Sequence, residues 1–177
     1  MQRLFPAERK RMIDQFQKAA EAAGAVVKRF PSLAATAAHV RNTTGAIIAA
    51  SELPDDIRQA LAPVIFAAPE NYPGVRSCVS FARAGITDSG SLLLQLSDHL
   101  ERSATALPPV HLVFLRASSL VPDLAALADT IATLLASRPH SYLSLITGPS
   151  RTADIERVLT IGVHGPKELQ ILLLEGE

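Results

Sequence analysis

The chain has 177 residues, 48% of them hydrophobic and 19% charged, which describes a globular protein with a sizeable core rather than a disordered one. Its 17 basic residues balance its 17 acidic ones, and no basic block gives the footprint of a nucleic-acid partner. The longest apolar runs, such as 46–50 and 171–174, are too short to span a bilayer, and a single cysteine, Cys78, excludes an internal disulfide.

Residues 6–23 predict an amphipathic helix with Ile13, Phe16, Ala20 and Ala23 on one face, stopped by Gly24. Residues 1–20 are charged and lack an apolar signal core, so a cytoplasmic protein is expected. A short strand at 25–27 follows, then a helix over 32–41 and a buried-type strand at 46–49. Pro54 takes the tolerated first position of another helix, and 64–67 reads as a strand before a loop holding Pro69, Asn71, Pro73 and Gly74. Residues 78–82 and 91–96 read as strands joined through a polar turn, and 110–115 as another. The clearest helix is 122–136, with Leu124, Leu127, Ile131 and Leu134 in a stripe. Then come a strand at 142–146, a helix at 153–160 and a last strand at 169–174. Strands alternating with helices imply an α/β class with a mostly parallel sheet, and the absence of repeats or linkers implies one domain over 1–177.

No G-x-G-x-x-G, no P-loop, no nucleophile elbow and no helical histidine pair occurs in the chain. Its aromatic residues are too few for a base-stacking platform. The chemistry-bearing residues crowd instead into Gly148-Pro149-Ser150-Arg151-Thr152-Ala153-Asp154-Ile155-Glu156 and Gly162-Val163-His164-Gly165-Pro166. A strand that ends before a helix is where α/β sheets hold ligands. Ser150 or Thr152 would cap that helix, its free amides would hold a carboxylate or phosphate, and Arg151 would add a forked donor. Residues 148–156 and 162–166 are then expected together on the carboxyl edge of the sheet, with the position of His164 left open. The plain reading of the same residues is helix capping and dipole stabilisation, with His164 a solvated turn residue. A metal on His164 and the carboxylates lacks enough ligands, so no metal site is expected.

The block from Ile146 to Pro166 resembles the closing motif of the lactate-utilisation (LUD) domain family, in its LutC/YkgG branch. Ala84 to Leu92 resembles a second family element, and Arg102, Leu107-Pro108 and His111 a third. Asp88 stands where the family usually carries Glu, Thr87 where it carries Ala, and Lys167 where Arg is common.

The resemblance implies a three-layer α/β/α sandwich like the NagB/RpiA/CoA-transferase group. It implies a part in oxidising L-lactate to pyruvate beside iron–sulfur protein partners, with no cofactor on this chain. Read from the loops themselves, Asp154, Glu156 or His164 would handle the hydroxyl proton. Ligand contacts would come from Asp88, Ser89, Gly90, Arg102, Gly148, Pro149, Ser150, Arg151, Thr152, Gly162 and Gly165. Two other classes stay open. One is an independent enzyme acting on a phosphorylated sugar or an acyl-CoA, which rests on fold analogy. The other is a non-catalytic anion-binding scaffold subunit.

Overall fold

A run of apolar residues such as Leu169-Gln170-Ile171-Leu172-Leu173-Leu174 leaves a strand almost no polar face, so it must be covered on both sides. The computed structural model, which describes residues 6–137, 142–153, 159–161 and 165–176, covers it in that way. The main sheet runs β1(Val26–Phe30), β10(Glu168–Leu174), β5(Val110–Arg116), β3(Ser77–Ile86), β4(Ser91–Leu96), β7(Tyr142–Ile146), with β2(Ile47–Ala49) and β6(Leu120–Val121) added along β3. The first four of these strands are mutually parallel, as are the β2 and β6 pairings with β3. The β3–β4 and β4–β7 pairings are antiparallel. The mostly parallel α/β sheet read from the sequence is therefore the observed one.

Strand alternation sorts the side chains between two layers. Leu169, Ile171 and Leu173 of β10, with Val113 and Leu115 of β5, pack against Ile13, Phe16 and Ala20 of α1(Pro6–Ala22). Leu172, Leu174, Leu112 and Phe114 point the other way, onto Ala37 and Val40 of α2(Leu33–Thr43) and Ile57 and Leu61 of α3(Asp55–Leu61). Leu127, Ile131 and Leu134 join Leu93 and Leu143 in a separate cluster under α5(Ala128–Ala136). Each fully buried Leu, Ile, Val or Phe among them contributes about 1.5–3 kcal/mol. On the α1 side, α4(His99–Ala106) packs through Ala104 with Ile48, Ala50 and Cys78.

Long β3 serves two sets of neighbours. Its first half pairs with β2 and β5, and its second half with β4 and β6. A register irregularity at Arg83, between Ala82 and Ala84, marks the changeover, as bulges do.

Several predicted elements differ. The strand at 64–67 reduces to one bridge between Phe66 and Ile47, for Pro63 and Pro69 bracket the segment and deny it a ladder. Pro54 flanks α3 rather than starting it, and the prolines and asparagine of 69–74 form a 3-10 turn. The helix over 122–136 begins at Ala128. The Asp123 carboxylate accepts from the Ala126 amide at 2.9 Å and holds a 3-10 turn over Ala125–Leu127, so Leu124 is left exposed. α4 has no counterpart in the sequence reading.

Of the helix expected over 153–160, residues 154–158 lie outside the described residues, and the described ends are extended. Arg151-Thr152-Ala153 forms β8, paired antiparallel with β9, Leu159-Thr160-Ile161. β-branched Thr152, Thr160 and Ile161 favour extended backbone, which suits the pairing of these two ends.

Candidate functional site

The amino ends of β5 and β10, the carboxyl end of β7 and the last turn of α4 enclose a cavity of about 330 Å³. His111 and Leu169 form its floor, Thr105 and Ala106 of α4 one wall, and Ser144 to Thr147 another. Gly148, Pro149, Ser150, Gly165 and Pro166 make the rim. The cavity thus lies where the carboxyl end of β7 meets the starting ends of β5 and β10, rather than on the carboxyl edge of the central parallel strands.

Local chemistry explains why the rim closes. The Ser150 amide donates to the Pro166 carbonyl at 2.9 Å, and the Lys167 amide donates to the Pro109 carbonyl at 2.9 Å. These bonds stitch the segment after β7, the segment before β10 and the segment before β5 into one ring. Gly148 sits at φ +70°, where a side chain is strained, and a Cβ there would overlap the Ala23 carbonyl oxygen. Gly165 faces Ser150 so closely that an added Cβ would lie 2.9 Å from the Ser150 Cβ. α4 is placed by its cap. The Asp98 carboxylate accepts from the Leu100 and Glu101 amides at 2.8 and 2.9 Å, while Glu101 reaches back to the Ser97 amide.

Beneath the rim lies a buried polar pair. His111 is 1% exposed, and its Nε2 is 2.8 Å from the Ser80 hydroxyl on the neighbouring strand, where Ser80 is fully buried. Burial pushes the His111 imidazole down from its ordinary 6.5 to about 4, so it is neutral near pH 7. A second polar chain, Ser89 to Ser91 at 2.8 Å and Ser91 to Thr147 at 2.7 Å, ties the β3–β4 turn to the cavity wall.

The predicted site residues divide into three groups. Gly148, Pro149, Ser150 and Gly165 line the cavity together. Ser89 reaches it only through the hydroxyl chain, Asp88 is exposed on the same turn, and Gly90 packs against Ala20 of α1. Arg102 stands outside, its guanidinium 4.8 Å above the Tyr142 ring. Arg151 is exposed, with its guanidinium laid against Gly24. Thr152 and Ala153, expected at an anion-binding helix start, lie in β8, and the Ser150 amide is used by Pro166. Asp154, Glu156, Gly162 and His164 lie outside the described residues. The sequence reading missed the Ser80–His111 pair as a site. The available signal was His111 itself, a lone imidazole in an otherwise apolar strand within one of the resembling elements.

A LUD domain model matches residues 73–174. The uncharacterized protein YkgG of Escherichia coli (strain K12) is 37% identical over 99 residues, covering 55% of this chain and 43% of that protein. Lactate utilization protein C of Bacillus subtilis (strain 168) is 34% identical over 98 residues, covering 54% of this chain and 41% of that protein. The chain therefore spans about two-fifths of the length of these relatives. The crystal structure of a DUF162 family protein from Deinococcus radiodurans superposes with a TM-score of 0.65 at 16% identity, over 94% of this chain and 98% of that one, a likeness of fold.

Proposed function

Since the chain belongs to the LUD domain family, we propose that it serves lactate utilisation as the cluster-free subunit of an iron–sulfur system oxidising L-lactate to pyruvate. Its cavity takes the small carboxylate. The observation that carries this reading is the cavity's construction. The segments bearing the family's motifs, 146–150, 165–166 and His111, converge on one concave, partly polar space large enough for a three-carbon acid. The relatives named Lactate utilization protein C supply the substrate class.

Converting L-lactate to pyruvate releases two electrons and two protons. A cluster does not fit this chain. Its one cysteine is fully buried, with the thiol pushed up to about 12 by burial. Among the described residues no group of three or more His, Cys, Asp or Glu side chains is placed to hold a metal. The electrons therefore pass to clusters on partner proteins, while this chain binds and orients the acid. Asp154, Glu156 or His164, next in sequence to the rim, takes the hydroxyl proton, and the C2 hydrogen leaves as a proton to solvent as its bonding electron pair passes to the partner clusters. The assembly works in the cytoplasm; among the described residues no helix is long and apolar enough to cross a membrane.

The test is co-purification of the tagged chain from cells expressing the neighbouring genes, with calorimetric titration by L-lactate, pyruvate, a sugar phosphate and coenzyme A. Retention of an iron–sulfur protein and saturable binding of the two small acids are expected. Tight binding of the sugar phosphate or coenzyme A, with no partner retained, would sink the proposal.

A further inference from the structure

The floor of the cavity holds a group with no assigned task. His111 lines the space and is almost wholly buried, so only a small part of its ring can meet an occupant. Its Nε2 is engaged by Ser80 at 2.8 Å. Among the described residues the other ring nitrogen makes no hydrogen bond. A neutral imidazole carries one donor and one acceptor, and a hydroxyl serves as either. Rotation of the Ser80 hydroxyl therefore lets Nδ1 present either character to the cavity. When Ser80 donates to Nε2, Nδ1 is a donor. When Ser80 accepts from Nε2, Nδ1 is an acceptor.

That adaptability matches one chemical feature. A 2-hydroxy acid offers both a proton and lone pairs at the oxygen on C2, whereas a 2-oxo acid offers lone pairs alone. Its other walls are mainly aliphatic or carry hydroxyls, which suit the carbon chain and the carboxylate. Resting on the reading of this cavity as a small-carboxylate site, we infer that His111, held by Ser80, recognises the oxygen on C2 of a 2-hydroxy or 2-oxo acid. His111 is thus the residue that separates such acids from simple carboxylates. A site built to hydrogen-bond a substrate oxygen rejects the analogue lacking it, because its own buried polar group is then left unpaired.

The test uses the whole chain labelled with ¹⁵N-histidine and three probes: L-lactate, pyruvate and propionate, the last lacking any oxygen on C2. Wild type should bind the first two about tenfold more tightly than propionate, the factor of roughly one hydrogen bond. The His111 Nδ1 resonance should move with lactate and pyruvate but not with propionate. His111→Gln places its amide near the Nε2 position, so it keeps a partner for Ser80 and should bind all three acids within about twofold of one another. His111→Asn places its amide near Nδ1 and should retain part of the preference. A folded His111→Gln variant with the full preference, or an Nδ1 resonance unmoved by saturating lactate, would overturn the inference. The resonance decides the matter even where a variant fails to fold. Equal binding of all three acids by wild type would discard this inference while leaving the carboxylate site standing. Binding of none would discard both.

Discussion

The buried imidazole makes one contribution to the protein's acid stability calculable. His111 is pushed down from 6.5 to about 4 by burial, with no compensating charge as a cause. Below pH 6.5 the unfolded chain takes up a proton that folded His111 refuses. The unfolded state then binds more protons, so stability falls as pH drops, and this loss is complete once pH passes below about 4. Each pH unit within that window is worth about 1.4 kcal/mol, so the whole displacement amounts to about 3 kcal/mol, and about 2 kcal/mol is lost by pH 5. His39 is lowered too, by burial and then by the charge of Lys28, and acts in the same direction. Comparison with His111→Gln, which leaves His39 in place, isolates the His111 contribution. Urea unfolding at pH 7.5 and pH 5 should show wild type losing about 2 kcal/mol more than the variant. The corresponding extra fall in Tm is about 4–8 °C for a chain of this size. Equal losses in the two proteins would refute a neutral, desolvated His111 and the packing drawn around it.

Three further outcomes are expected. Gly148→Ala should destabilise the fold by more than the roughly 1–2 kcal/mol of left-handed backbone alone, because its Cβ also displaces Ala23. Thermal melts and lactate titration should show both effects, and an unchanged melt would contradict the rim geometry. Cys78 should resist alkylation at pH 8 in the native protein and react once urea unfolds it, since its thiol is buried and pushed up to about 12. Rapid labelling of the native protein, read by mass spectrometry, would contradict that burial. In the reconstituted lactate-oxidising system, Asp154→Asn or Glu156→Gln should lower turnover by about 10²–10⁴ with little change in Tm. Full activity in both would move proton handling to His164.

Long and strongly periodic segments were legible in the sequence. Ile13, Phe16 and Ala20 recur at helical spacing because one face of α1 must meet the sheet, and that face is buried as read. The apolar run 171–174 announced a strand covered on both sides, and β10 lies between β1 and β5. α4 is legible in principle, since Asp98 and Glu101 have the spacing of a helix-start cap, but two turns of amphipathic pattern between strands give only a weak helical signal. The described ends of the segment 153–160 differ from the reading for another reason. Its local pattern suits a helix, while β8 and β9 are stabilised by pairing with each other, an interaction that a window of neighbours does not contain.

By itself the sequence determined the class of fold, the family and the segments that carry the chemistry, because periodicity and turn residues act over a few neighbours. Only the tertiary structure decided where those segments meet. Residues 148–150 reach 165–166 through the Ser150–Pro166 bond, and both close over the start of β5 rather than the carboxyl edge of the central parallel strands. It alone set Ser80 beside His111, because parallel pairing of β3 with β5 joins residues 31 apart in the chain. A histidine in an apolar strand reads as core from its neighbours in sequence. Its placement beneath a cavity is a property of strand order, which no local pattern encodes.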